Sequence, residues 1–420
     1  MRTGTTTPTE DPATALTATA ASLTATAPAL RALAVEQLDV WTRRQATGEQ
    51  PGTEPCDPGV PALAALVAAT GEPAEAAAAG HAVAVWARGI GRGRNHPGLY
   101  DGGLAGTLAG LRLGARLHPQ LHQVADRLRD HLLTVAKARP WRRENVLFPD
   151  QDLISGPSGT LLSLCVAADP DGGQLAPCVH HLASLCDGAE LPRLRADGYA
   201  GHPYLDWMQG RINTGMGHGV AGLVTALTAA VRHTGSNRAT RRALRNATHW
   251  LARQSFDDAR SIRSWDGAGL DEAPPEGARA RQAWCYGNPG VTWALWNAAD
   301  ALDDEATAAW AAKAFTGLAE RYDEDFHLFG EHPADLLACC HGAAGVLAVA
   351  DAFHHHARLP AATVLRARLA RHLLDRLPEV RTLGEERMGL LGGATGPLCA
   401  LLTVAEPEAE RLWQPCFGLR

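Results

Sequence analysis

The chain has 420 residues, of which 46% are hydrophobic and 20% charged, with a formal net charge of −6 and a pI near 6.3. That much chain can bury a large core, as one big domain or two, and its scattered basic residues leave no footprint for nucleic acid. No apolar run reaches the roughly 18 residues of a transmembrane segment, and nine cysteines, an odd number, fit a reducing compartment better than a disulfide framework.

Residues 1–27, rich in threonine and alanine and broken by prolines, read as a flexible N-terminal tail, too threonine-rich to serve well as a secretory signal. Residues 28–420 read as one all-α domain, because sustained period-2 runs of β-branched and aromatic residues are missing. Helical stretches before residue 98 supply the opening of the fold. From there a G-x-x-G motif recurs six times: GLAG at 103–106, GPSG at 156–159, GVAG at 219–222, GNPG at 287–290, GAAG at 342–345 and GATG at 393–396. Successive first glycines are 53, 63, 68, 55 and 51 residues apart, long enough for a helix, a loop and a second helix. Each copy leads into a small-residue apolar run such as TLLSLCVAA, LVTALTAAV, VTWALWNAA or VLAVADAF. A charged amphipathic segment follows, as in Arg238–Gln254 or Pro360–Leu377. The first helix of each pair is expected to be buried and the second to face outward. Small inner residues let helices converge on an axis, so the expected architecture is an α/α toroid, a closed ring of six to seven helical hairpins, in preference to an open solenoid.

The two residues before each first glycine are Asp101/Gly102, Ile154/Ser155, Gly217/His218, Cys285/Tyr286, Cys340/His341 and Leu391/Gly392. His218, Cys285, Cys340 and His341 therefore hold equivalent places in three consecutive repeats, and in a closed ring equivalent places converge. Adjacent residues on a helix diverge by about 100° and cannot readily share an ion, so Cys340 and His341 must lie in the turn that enters the helix, with Gly342 giving that turn its backbone freedom. With Cys285 they form a Cys₂His set, one ligand short of a closed tetrahedral zinc site, and an open fourth position marks a catalytic centre. Taken singly, these residues have plainer readings. A lone cysteine before an inner helix is usually a small buried hydrophobe, His218 a core or capping histidine, Asp152 an N-cap carboxylate, Arg281 a surface charge and Tyr286 a packing aromatic. His354, His355 and His356 radiate in different directions, and Cys178 and Cys186 read as buried free thiols. Cys56, Cys165, Cys399 and Cys416 have no evident partners.

The strings DLISGPSG at 152–159, NTGMGHGVAG at 213–222, RQAWCYGNPG at 281–290 and CCHGAAG at 339–345 resemble the lanthionine synthetase C-like (LanC-like) family of lanthipeptide cyclases, over about residues 98–400. The resemblance implies an α/α toroid holding one Zn²⁺ per chain through Cys285, Cys340 and His341. It also implies catalytic roles for His218, Asp152, Arg281 and Tyr286. Three departures stand out. Cys339 replaces the usual aliphatic residue before the second zinc cysteine and could compete as a ligand or simply pack. Met216-Gly217 precedes His218 where a smaller residue is usual. No room is evident for the β-rich insertion of some members.

The implied reaction is an intramolecular Michael addition, in which a peptide cysteine thiol attacks dehydroalanine or dehydrobutyrine in the same precursor and closes a (methyl)lanthionine thioether ring. A zinc-activated thiol would be the nucleophile, His218 oriented by Asp152 the acid for the α-carbon, and Arg281 the stabiliser of enolate charge. The implied partners are a dehydrated precursor peptide, a separate dehydratase and a transporter, and the implied location is the cytoplasm or a peripheral membrane complex. Two other readings use the same residues: addition of a glutathione-like thiol to a dehydrated peptide, and a non-catalytic zinc-stabilised docking toroid with a closed metal shell. A glycosidase toroid would need paired carboxylates around the axis, and the motif positions carry cysteine and histidine instead.

Overall fold

The computed structural model describes residues 23–48, 56–91, 95–235, 237–269 and 281–420. Most of the expected tail, residues 1–22, lies outside them. Its last stretch does not behave as a tail, because Leu23 and Ala27 are buried in the core, so the packed chain begins ahead of residue 28.

Each G-x-x-G motif opens a buried helix, as the repeat predicts. The inner helices are α2 (Gly59–Thr70), α4 (Leu104–Gly114), α6 (Pro157–Cys165), α8 (Val220–Thr234), α10 (Asn288–Leu302), α14 (Ala343–Ala352) and α17 (Thr395–Ala405). Their outer partners are α3 (Pro73–Ala87), α5 (Leu121–Ala138), α7 (Gly172–Leu185), α9 (Arg238–Arg253), α11 (Glu305–Arg321) and α15 (Pro360–Leu374). Every inner helix packs on the next, and α17 packs back on α2, which closes the ring. The outer cover of α17 comes from the opposite end of the chain, from α1 (Ala27–Thr47). Among the described residues the toroid thus has seven hairpins, the last assembled from both chain ends. Short helices α12 (Glu324–His327) and α13 (Pro333–Leu337) lead into α14, and α16 (Leu377–Glu386) crosses over α1. A two-residue antiparallel ribbon, β1 (Phe256–Asp257) with β2 (Arg263–Ser264), forms the one regular sheet among the described residues.

The difference between the layers follows from composition. All of Asn288–Ala299 in α10 and all of α14 and α17 are buried, which mainly apolar side chains allow when helices meet on every side, polar exceptions such as Asn288 and Asp351 being hydrogen-bonded. The outer α9 instead buries one stripe, including Leu244, Trp250 and Leu251, and turns its arginines outward. The second motif glycines are forced by close approach: a Cβ on Gly290 or Gly345 would stand 2.0 Å from the carbonyl oxygen of Trp284 or Cys339. Gly342 departs from expectation. Its backbone is extended at φ −99°, ψ −171°, and what excludes a side chain there is the 336–338 backbone, 2.5 to 2.7 Å from where a Cβ would lie.

The axis of the ring is filled by the segment that ends at Arg420. Tyr100 Oη, Trp284 Nε1 and Trp293 Nε1 donate to the carbonyls of Cys416, Phe417 and Gly418, each at 2.9 Å. Phe417 also packs edge-on against Trp284 and Trp413.

Candidate metal centre and acid–base pair

The turns entering the inner helices lie on one face of the ring, joined to one another by single backbone hydrogen bonds. Cys340 N–H donates to Leu391 O at 2.9 Å, Cys285 N–H to Cys340 O at 3.2 Å, Met216 N–H to Cys285 O at 2.8 Å, Leu153 N–H to Gly217 O at 3.0 Å and Tyr100 N–H to Ile154 O at 2.9 Å. Asp57 Oδ1 extends this series to the entry of α2 by accepting from both Gly59 N–H and Leu390 N–H. Sequence equivalence has become spatial adjacency, and the fully buried Met216 uses its backbone to hold the Cys285 turn.

One sulfur each from Cys285 and Cys340 and one ring nitrogen of His341 lie within 4.8 Å of one another. Both Cys340 and His341 stand in the turn before Gly342, the N-cap of α14, as their adjacency requires. Tetrahedral zinc with sulfur and nitrogen ligands needs donor atoms roughly 3.5 Å apart, so the set is spaced such that it could hold a metal ion. The electrostatics point the same way. A hydrogen bond from Cys285, aided by His341, holds the Cys340 thiol well below its usual range. Burial and the neighbouring Cys340 charge push Cys285 well above it. Two sulfurs that can be ionised only one at a time are a site in want of a cation, and a divalent metal would let both be thiolates. The His341 pKa is raised, first by its hydrogen bond to Cys340, and Asp335 Oδ1 stands 3.4 Å from its Nδ1.

Cys339 does not belong to this set. It is fully buried, burial pushes its thiol far up, and its sulfur would lie 2.8 Å from a Cβ placed on Gly396 of α17. Its role is packing, which leaves the three-ligand set without a fourth protein donor among the described residues. His354, His355 and His356 diverge to Thr363, Arg411 and the Arg420 carbonyl, respectively, and all nine cysteines are free thiols.

Beside the ligands, His218 Nδ1 is 2.6 Å from Oδ2 of the fully buried Asp152. The other oxygen, Oδ1, accepts from Ser155 N–H at 2.9 Å. Burial opposes charge on His218, but the hydrogen bond and negative charge of Asp152 outweigh it and raise the pKa. Phe148 stacks on the imidazole at 4.5 Å and Gln151 Nε2 holds the His218 carbonyl at 2.6 Å. With Nδ1 engaged, Nε2 remains for proton transfer. Tyr286 Oη accepts from Asn213 Nδ2 at 3.2 Å. The Arg281 guanidinium lies 4.1 Å over the Phe329 ring, its Nη1 buried without a hydrogen-bond partner among the described residues, and its charge reaches both Cys285 and His341. All seven expected site residues thus occupy one face.

Sequence reasoning passed over Asp335, Phe148, Gln151 and Asn213. Gln151 and Asn213 sit inside or beside the quoted motif strings, whereas Asp335, on the short helix α13, and Phe148, at the start of a 3-10 turn, come from segments whose approach only the fold reveals.

Residues 62–417 match the family model described as lanthionine synthetase C-like protein. The nisin biosynthesis protein NisC of Lactococcus lactis subsp. lactis is 25% identical over 227 residues, 52% of this chain and 52% of that protein. The match therefore spans about half the length of this relative. A solved structure of nisin cyclase superposes with a TM-score of 0.76 at 20% identity, covering 91% of this chain and 96% of the other. No described helix is long and apolar enough to cross a membrane.

Proposed function

The chain belongs to the lanthionine synthetase C-like family, and from that premise we propose that it is a lanthipeptide cyclase closing thioether rings by intramolecular Michael addition. The observation that carries this reading is the convergence of Cys285, Cys340 and His341 within 4.8 Å, on the same face as the Asp152–His218 pair.

Cys285, Cys340 and His341 would hold one Zn²⁺, which supplies a Lewis acid that lets a substrate thiol ionise near neutral pH and remain nucleophilic. The thiol proton passes to solvent, from which His218 is recharged, the sulfur bonds to the β-carbon of a dehydrated residue, and the electron pair of the double bond moves toward the adjacent carbonyl. Arg281, whose Nη1 is buried and free of other hydrogen bonds among the described residues, stabilises the resulting enolate charge. His218, whose charged form Asp152 favours, gives a proton from Nε2 to the α-carbon. Asp152 keeps the imidazole in the orientation that leaves Nε2 free. Tyr286 lines the same space, fixed by Asn213. No atom is gained or lost in the sum, so ring closure leaves peptide mass unchanged.

The proposed substrate is a dehydrated precursor peptide, with a separate dehydratase and a transporter as candidate partners. The proposed setting is the cytoplasm, alone or in a peripheral membrane complex. Incubating the zinc-loaded protein with a dehydrated peptide and alkylating the remaining thiols tests the reaction. The expected result is unchanged peptide mass with loss of alkylatable thiol. A mass gain equal to an added glutathione would assign thiol addition instead, and unaltered substrate would refute the cyclase reading.

A further inference from the structure

Among the described residues, three large hydrophobic side chains are exposed: Val364, at 48%, on α15, and Tyr204 and Trp207, at 81% and 42%, on one loop. Solvent-facing aromatics three residues apart ask for a partner, because isolated exposed apolar residues are ordinary but clustered ones mark recognition surfaces.

That loop is built rather than loose. Gln209 Oε1 accepts from the backbone N–H groups of Gly198, Tyr199 and Ala200 at 3.1, 2.9 and 3.0 Å. Asp206 Oδ1 accepts from Gly201 N–H at 2.6 Å, and Trp207 Nε1 donates to Tyr204 O at 3.0 Å. Beneath it Ala196, Tyr199, Met208 and Ala268 form a small apolar core apart from that of the ring, with Phe148 packed against it.

The same loop is physically continuous with the acid–base pair. From His218 the rings pass to Phe148 at 4.5 Å, to Tyr199 at 5.1 Å, to His202 at 6.3 Å and to Tyr204 at 6.4 Å. Tyr199 Oη also accepts from Phe148 N–H at 2.9 Å. Trp207 reaches the site by a second route: a Cβ placed on Gly267 would lie 3.0 Å from the Trp207 ring and 3.6 Å from that of Tyr286.

We infer that the 197–210 loop is a docking platform for the reacting peptide, an assignment of occupant that rests on the cyclase reading. Tyr204 and Trp207 take apolar or aromatic side chains that flank the reacting cysteine and dehydrated residue. Rigid aromatics lose little conformational freedom on binding, and a platform joined to His218 and Tyr286 fixes the distance from the docked side chain to the reacting carbons. The two aromatics are therefore specificity determinants, acting on the substrate outside the bond-forming centre.

The test uses the full chain carrying Tyr204→Ser and Trp207→Ser together. Both side chains are surface groups, and metal content with circular dichroism checks that the fold is kept. The probe is a short fluorescein-labelled peptide with dehydroalanine between leucine and phenylalanine and serine in place of cysteine, so that it binds without reacting. Fluorescence anisotropy on zinc-loaded protein should show affinity weakened about tenfold or more in the double variant, and a glycine-flanked probe should bind both proteins equally weakly. With a reactive peptide, KM should rise by a similar factor while kcat stays within about twofold. Equal affinity in the two proteins overturns the inference. So does a fall in kcat at unchanged KM, which would make the loop a support for His218. So does a double variant whose only change is loss of self-association on gel filtration, which would make the patch a contact between copies. If the wild type binds the probe but closes no ring, the cyclase reading fails while the affinity difference still decides the platform.

Discussion

The two ends of α14 carry ionisable clusters of opposite character. At the N-terminal end Cys340 and His341 share one face with Cys285, and among the described residues their thiols and imidazole meet each other, the Asp335 carboxylate 3.4 Å from His341 and the charge of Arg281. About 15 Å along the helix, Asp351, 1% exposed, is met by Arg366 Nε and Arg411 Nε at 2.8 Å each, with His355 and Gln414 completing its shell. The first cluster has donors waiting for a charge from outside, whereas in the second two guanidinium groups already satisfy the one buried carboxylate. Under-satisfied polar groups on a rigid helix end belong to chemistry, and saturated ones belong to the frame.

Breaking the first end should give the largest effect. Cys285→Ala or Cys340→Ala is expected to remove the metal, read by elemental analysis of the purified protein, and to drop ring closure by on the order of 10³-fold or more. Cys339→Ser should leave both properties intact. His218→Ala should cost about 10²- to 10⁴-fold in ring closure with metal content unchanged, which separates proton transfer from metal binding at the same face. At the saturated end, Asp351→Asn strands two arginines and should lower stability by roughly 3 kcal/mol, read by denaturant unfolding, with metal content unaltered.

The smallest effect is a pH dependence. Burial lowers the His355 pKa to about 4, so between its unfolded value near 6.5 and about 4 the unfolded chain binds more protons than the folded one. Stability is then present above that window and lost as pH falls through it. Burial alone would raise the Asp351 pKa, but Arg411 and Arg366 hold it below its ordinary range, so its contribution is lost at still lower pH. Thermal midpoints should fall steadily from neutral pH downward, and His355→Gln should flatten the part between about 6.5 and 4.

Much of the ring was legible because its cause is local and repeated: a motif glycine pressed against its own entry turn, then an apolar helix, then a half-exposed one. The convergence of His218, Cys285, Cys340 and His341 followed from the same repetition. The seventh hairpin was harder to read, because α1 and α17 lie at opposite ends of the chain and share no motif. Asp335, Phe148 and the aromatic loop were hidden for a related reason. Their places are set by tertiary hydrogen bonds such as Tyr199 with Phe148, which leave no periodic trace. The glycine at 342 shows a right residue with a wrong cause, required by backbone crowding and not by torsional freedom.

The three carbonyls that Tyr100, Trp284 and Trp293 grip fasten the 416–418 segment to side chains of the ring. With that segment held inside the ring, a peptide handled on the motif face would leave by the way it came. Successive reactions on one polypeptide would each require a fresh presentation of a bight of chain at that face, and the order in which loops are tied would be set by what the rim accepts rather than by progress along a tunnel.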